Sequence, residues 1–449
     1  MVSRIIKFFW PALSGEEIKK YGLLALAFFF TIGAYWLLRP LKDGLFFNVV
    51  GGEYQPMAKI LSVFVVGFLV IVYSKLVDMV EKHKLFYIIV SIYTVLFTAI
   101  AVSISLSKNY PELISPTFLK GIGWSTYLII ESFGSIVVAL FWSFTSSVSD
   151  PESSKKAFPL VIAGAQVGAI VGPYVAWHHA ERLGLPCLFV IGALSIICLL
   201  FTIKRFMKVI PSKEQVGDKE AAATRTKPKT GFLEGIKLIL TKPYLFGILM
   251  VVSIYEIVGT IVDYQMKMQA KAIYTTQESL TSFMGLFGMA ANGLALVLAL
   301  FGTAYLMKRF GLTFCLLTFP VCLGMAIAGL YSFVKFGSMD PGTLLWITFG
   351  VMMIAKGLSY ALNNPAKEMM YVPTSKDAKF KAKGWIDMFG SRSSKALGSG
   401  FNNFLKASPM LLLTTGTLIS MGLIGFWIVA ALLVSKKYNS LVKNNQIVG

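Results

Sequence analysis

The sequence predicts an all-α polytopic membrane protein. Three observations carry that expectation: a low content of charge, apolar runs that recur along the whole chain, and one long basic polar stretch near its middle. Only 14% of the 449 residues are charged and the mean hydropathy is +0.69, whereas soluble chains average about 25% charged residues. A helix needs about 20 mostly apolar residues to cross a bilayer, and such runs appear repeatedly. A β-barrel would instead show segments of about ten residues with alternating polarity.

Twelve transmembrane helices follow in order, at about 21–38, 57–75, 85–106, 124–148, 157–177, 185–203, 244–263, 281–305, 311–334, 343–364, 384–405 and 410–434. Most are plain apolar runs of 18 residues or more. The eleventh, GWIDMFGSRSSKALGSGFNNFL, contains Asp387, Arg392 and Lys395 and falls short on hydropathy. Loop charge retains it. With twelve spans, the side holding both termini carries roughly three times the Lys and Arg of the other, which assigns that side to the cytoplasm. Without the eleventh span the C-terminal lysines would fall on the opposite side.

The stretch KRFMKVIPSKEQVGDKEAAATRTKPKTGFLEGIKLILTK has no apolar period until FLEGIKLIL, which reads as a short interfacial helix. It divides the chain into an N-terminal six-helix half, 1–203, a basic cytoplasmic linker, 204–243, and a C-terminal six-helix half, 244–449. Two six-helix halves so joined are the major-facilitator-like plan, in which the halves rock about a midplane site. Short basic turns after span 2 (YSKLVDMVEKHKLF) and span 8 (YLMKRFGLTF) agree with an internal repeat.

The opening MVSRIIKFFWPALSGEEIKK has too short an apolar run, broken by Pro11, for a secretory peptide, and lacks the Ser/Arg bias of a transit peptide. The expectation is therefore a multi-pass protein of a bacterial inner membrane, inserted through its own first helix, with both termini cytoplasmic. Cys187, Cys198, Cys315 and Cys322 lie in or beside apolar runs without metal or redox spacing, and read as small buried hydrophobes.

A charge at the bilayer centre costs at least about 2.5–3.5 kcal/mol, so each one inside a span is a functional candidate. The candidates are Glu131 in span 4, Glu256 and Asp263 in span 7, Lys356 in span 10, Asp387, Arg392 and Lys395 in span 11, and Arg39, Lys42 and Asp43 in LLRPLKDG, where span 1 ends. Each has a structural alternative. Glu131 can serve as one half of a structural ion pair. Asp263, Lys42 and Lys356 sit near helix ends, where snorkelling to the interface explains them more cheaply. Arg392 and Lys395 are three residues apart, on one face of a helix rich in Gly and Ser, and a cationic face there is hard to explain as packing.

Together these residues suggest an anion site, in which Arg binds oxygens bidentately and Lys acts as a point charge. Tyr35, Trp36, Trp124, Tyr127, Tyr255 and Tyr264 offer rings on which a base can stack, although interfacial belts also require aromatics. No GxxxxGK[ST] loop for nucleotide hydrolysis occurs, and no enzyme activity, cofactor or metal is expected. The adjacent His178 and His179 read as interfacial.

Three segments resemble the bacterial and plastidic nucleotide transporters, the ATP/ADP translocases. LLRPLKDGLFF (37–47) is similar to the end of that family's first helix, YLIIESFGSIVVALFWSF (127–144) to its glutamate-bearing helix, and SYALNNPAKEMMYVPTSKDAKFKAKGWIDMFGSRSSKALGS to a long block near the C-terminus. The resemblance spans essentially the whole chain. It implies transport of nucleotides, with Lys42, Glu131, Glu256 and Lys367 essential to uptake. Asn364 stands where the family has Asp, Trp385 follows KAKG, and GSRSSKALG replaces a lysine turn.

The expected function is thus ATP/ADP exchange by alternating access. Lys42, Lys367, Arg392 and Lys395 would bind phosphates, while Arg39, Asp43, Glu131, Glu256 and Asp387 would gate or couple. The alternative is a proton-coupled importer of nucleotides or of another organic phosphate anion; a non-transporting membrane protein is a third reading. The expected partners are a small-molecule nucleotide and the lipid bilayer, with no nucleic acid, around a monomer. Lys376, Lys379, Lys381 and Lys383 are expected to anchor a cytoplasmic loop, helped by anionic lipid.

Overall fold

The computed structural model describes residues 10–11, 13–210, 232–300, 304–337 and 340–448. Most of the predicted 204–243 linker lies outside them, as do the side chains of Lys376 and Lys379. The described chain folds as helix after helix: α1 (Gly15–Phe46), α2 (Gln55–Met79), α3 (Lys82–Asn109), α4 (Pro116–Ser147), α5 (Pro151–Val209), α6 (Phe232–Thr241) and α7 (Pro243–Ile273). There follow α8 (Gln277–Leu298), α9 (Ala304–Phe336), α10 (Pro341–Leu358), α11 (Asn364–Met370), α12 (Lys376–Trp385), α13 (Ser391–Leu405) and α14 (Pro409–Lys443). A single bridge, Thr374 to Val448, is the β pairing found among the described residues.

Among the described residues nine stretches are long and apolar enough to cross a membrane, so this is a multi-pass membrane protein. Several of them hold two helices, as Pro341–Met370 holds α10 and α11. Gly15–Val77 joins α1 to α2 through a π-helical turn, Phe47–Gly51, and a short 3₁₀ turn. Glu152–Val209 breaks at Gly184, whose φ of 74° is open to glycine and strained for other residues. The predicted interfacial helix FLEGIKLIL is α6.

The predicted eleventh span is also helical, as α12, a π turn and α13, yet it is not one of the nine. Its polarity has a packing cause. Ser394, Gly398, Ser399 and Asn402 of α13 are buried, while Leu397, Phe401 and Phe404 are exposed. A helix surrounded by lipid turns its apolar face outward and its small, polar face to its neighbours. That inner face meets α7: a Cβ on Gly398 would lie 2.9 Å from the Ile257 carbonyl oxygen, and Asn402 Nδ2 donates to the Thr260 carbonyl at 3.1 Å.

The chain forms two compact units. The first gathers Met1–Gly51, Phe64–Thr226 and Tyr274–Met289. Within it α1 and α5 touch through glycines spaced by four, Gly164, Gly168 and Gly172 in AGAQVGAIVG. A Cβ on Gly168 would stand 2.5 Å from the Phe29 carbonyl oxygen, and one on Gly172 2.2 Å from that of Gly33. Only residues without a side chain permit that approach. Gly168→Val is expected to destabilise the protein by about 3 kcal/mol, the upper end of overpacking, which thermal unfolding in detergent would read; an unchanged midpoint would contradict the contact. The core beyond it is aromatic, with Phe28 stacked on Phe141 at 4.1 Å.

The second unit gathers Gly52–Val63, Lys227–Ile273 and Ala290–Gly449. Fully buried Trp427 packs there against Phe319 and Tyr255, at 4.9 and 6.0 Å between ring centroids. The amphipathic α6 lies on α12, where a Cβ on Gly235 would reach within 2.8 Å of the Lys381 carbonyl oxygen. Ser375 and Val448 complete the bridge that pins the C-terminal residues, with Ser375 N donating to Val448 O at 2.9 Å and Val448 N to Pro373 O at 3.0 Å.

Candidate functional site

Among the π-helical turns of the described residues are Phe47–Gly51, Ser359–Asn363 and Ile386–Gly390. Such turns interrupt the regular hydrogen-bond ladder and concentrate at functional sites. Each lies beside a predicted site residue: the first follows Lys42 and Asp43, the second precedes Lys367, and the third contains Asp387 and runs into Arg392.

In the first unit, α1 delivers Lys42 to the interior. Pro40 sits within the helix, and Gly44 approaches α8 so closely that a Cβ there would be 2.0 Å from Thr281 Oγ1. The Lys42 side chain is 3% exposed, so it does not snorkel as its place near a helix end suggested. Its Nζ donates to Glu131 Oε1 at 2.5 Å, lies 3.7 Å from Asp43 Oδ1 and sits 4.1 Å from the centre of the Tyr127 ring. Phe46 packs against that ring and Trp124, at 5.1 and 5.3 Å. A buried ammonium demands such a shell, because desolvation without a close counter-charge costs several kcal/mol. Glu131 is the more open partner, at 31% side-chain exposure. Arg39 lies half-buried one turn before Asp43, its guanidinium 5.0 Å above the Trp36 ring. A Cβ on Gly134 would strike the Tyr35 ring at 2.3 Å, so this glycine makes room for Tyr35.

In the second unit, Glu256 of α7 is held from α13. Ser391 Oγ donates to Glu256 Oε1 at 2.7 Å, and Lys395 Nζ, one turn further, is 3.5 Å from the same oxygen. Arg392 lies half-buried beside Ser391 in the first turn of α13. Lys367 of α11 donates to Asp387 Oδ1 at 2.9 Å, with side chains 19% and 32% exposed. Lys356 does not reach for the interface: it is half-buried, its Nζ 6.0 Å from the centre of the Tyr255 ring. Lys383 is braced locally by Glu368, 2.6 Å away.

A further charged group is sealed in the same unit. Asp263 and Lys267, i and i+4 on α7, pair at 2.9 Å with side chains 6% and 5% exposed, and Lys59 of α2 stands 3.9 Å from the same carboxylate oxygen. Asp263 is therefore buried rather than snorkelled, and sequence reading passed over Lys59 and Lys267. The signal was present: Glu256, Asp263 and Lys267 recur at i, i+7 and i+11, one face of a helix. Asp263→Asn is expected to destabilise the fold by about 3–5 kcal/mol, as loss of one partner from a buried pair does. A shift below about 1 kcal/mol in thermal unfolding would contradict that structural role.

Each unit thus presents lysines held by carboxylates that remain partly open. Phosphate oxygens can replace a carboxylate on an ammonium, since both accept charge-assisted hydrogen bonds. A multi-pass helical chain with paired, part-buried charges has the build of a secondary transporter. Solved structures agree on the fold. The chain resembles a bacterial homologue of the iron transporter ferroportin in its inward-facing state, with a TM-score of 0.64 at 12% identity over 93% of this chain and 100% of that one. It also resembles the nucleoside transporter NupG, at 0.60 and 15% over 92% and 99%.

The profile of the TLC ATP/ADP transporter family matches residues 1–438, and the chain belongs to that family. It is 26% identical to ADP,ATP carrier protein 1 of Rickettsia prowazekii over 99% of this chain and 98% of the relative. It is also 26% identical to the chloroplastic ADP,ATP carrier protein 2 of Arabidopsis thaliana, over 97% and 78%.

Proposed function

We propose that this protein is a nucleotide transporter that exchanges ATP and ADP by alternating access, as a carrier without catalytic turnover. The observation that carries the reading is the Lys42–Glu131 pair, a nearly buried ammonium whose partner carboxylate stays open to an incoming anion. Lys42, Lys367, Arg392 and Lys395 take the phosphates. Glu131, Glu256 and Asp387 hold these cations in the empty carrier, and Arg39 and Asp43 shape the field around Lys42. A ligand shifts a conformational equilibrium only through its differential affinity for the two states; releasing the lysines from their carboxylates supplies that difference.

In this reading the chain crosses a bacterial inner membrane twelve times as a monomer. Residues 1–203 and 244–449 form its halves, 204–243 the linker, and both termini face the cytoplasm. The direct test is ligand stabilisation of the purified carrier. ATP and ADP at 100 times Kd should add about 2.7 kcal/mol to the folded state, and sugar phosphates should not. Stabilisation by every organic phosphate alike would contradict nucleotide selectivity. A second reading, proton-coupled nucleotide import, draws on the 31% exposure of Glu131, which leaves it able to trade a proton with water. It predicts uptake into empty vesicles driven by an inward proton gradient.

A further inference from the structure

A cavity of about 790 Å³ opens between α7 and α14, within the range of about 300–1,000 Å³ usual for small-molecule sites. The two helices touch at Gly247, where a Cβ would lie 2.4 Å from Val434 Cγ2. Around that contact the walls are apolar, formed by Phe246, Leu433 and Ile447 among others, at 41%, 65% and 70% exposure. Two cations close one end: Lys242, immediately before α7, and Lys437, in the last two turns of α14. Among the described residues no carboxylate lines the cavity, and both lysines are exposed and form no ion pair. They stand where the apolar runs of both helices end, the level at which a bilayer changes from hydrocarbon to headgroup.

An apolar groove with a doubly cationic mouth matches an amphiphile with an anionic head. A soluble nucleotide could lay a base on Phe246 but has no hydrocarbon to cover Leu433 and Ile447, and a zwitterionic lipid gains little from two lysines without acid partners among the described residues. We propose that this groove binds one acidic phospholipid, its phosphate between the ammonium groups of Lys242 and Lys437 and its chains along Phe246 and Leu433. Basic pockets between membrane helices bind anionic headgroups in this way. Occupancy ties together three parts of the second unit. Tyr244, on the wall, donates to the Met370 carbonyl at 2.6 Å, and Val448, also on the wall, bonds to Pro373. The lipid therefore braces α7, α14 and the turn that follows Lys367.

The test is thermal unfolding of the full chain in neutral detergent, titrated with phosphatidylglycerol or phosphatidylcholine. Phosphatidylglycerol is expected to raise the unfolding temperature at lower concentration than phosphatidylcholine. The half-effect concentration should rise about five-fold for each of Lys242→Gln and Lys437→Gln, one surface charge apiece. Ala430→Trp, which fills the groove and leaves both lysines, should also blunt the response. A charge-matched control away from the groove, Lys204→Gln with Lys208→Gln, should respond as the parent does. Equal effects of the two lipids, a parental response in the double Lys242/Lys437 variant, or an equal loss in the control would overturn the proposal. Inorganic phosphate reproducing the shift would overturn it too, by marking a soluble-anion site. ATP stabilisation should survive in the Lys242/Lys437 variant, which separates this site from the nucleotide site.

Discussion

Glu131→Gln is expected to reduce nucleotide exchange by at least tenfold while leaving the protein folded. Lys42 loses the counter-charge 2.5 Å away that holds it in the empty carrier, yet keeps an amide oxygen to donate to, Asp43 at 3.7 Å and the face of Tyr127 at 4.1 Å. The stability loss should therefore stay below the about 3–5 kcal/mol of a fully severed buried pair. Lys42→Met is the asymmetric counterpart. It leaves the Asp43 side chain, only 5% exposed, without its neighbouring ammonium, and should destabilise more as well as abolish transport. Uptake in liposomes and unfolding in detergent, run on both variants, separate the two effects. Parental uptake by Glu131→Gln would remove that residue from the mechanism.

The second large effect concerns Lys367 and Asp387, which should act in opposite directions. If Lys367 grips a phosphate, Lys367→Gln removes one charge-assisted hydrogen bond, about 1.5–3 kcal/mol, and weakens nucleotide binding roughly ten- to a hundredfold. If Asp387 only holds that lysine until substrate arrives, Asp387→Asn removes a competitor, so nucleotide should bind more tightly while turnover slows. Neither change should unfold the protein, because ion pairs this exposed contribute at most about 1 kcal/mol. Equilibrium binding of labelled ATP reads the sign directly. Weaker binding in both variants would mean that the carboxylate supports the site and does not compete for it.

Much of the fold was legible in the sequence because lipid imposes a simple rule: a span must be long and apolar. Hydropathy does not mark α13, where Ser394, Gly398, Ser399 and Asn402 are buried and Leu397, Phe401 and Phe404 are exposed; the expectation of a span there rests on loop charge. Breaks within long helices were partly visible as Gly and Pro, as at Gly184, whereas the π turns carry no composition that marks them. Most of the candidate residues were legible as charges in apolar runs, and Lys367 through the family resemblance. Their partners were not, since Lys42 and Glu131 are 89 residues apart and Glu256 and Ser391 are 135 apart. Position near a helix end also misled. Lys42 and Asp263 read as snorkelling, but each has a counter-charge close enough to stay buried.

The most direct test of nucleotide exchange is uptake of labelled ATP into liposomes holding the purified protein, with the lumen empty or preloaded with ADP. Uptake that requires internal ADP, and that is lost in Lys42→Met and Lys367→Gln, is the predicted result. Equal uptake into empty and ADP-loaded vesicles would contradict obligate exchange, and no nucleotide uptake under either condition would contradict the assignment itself.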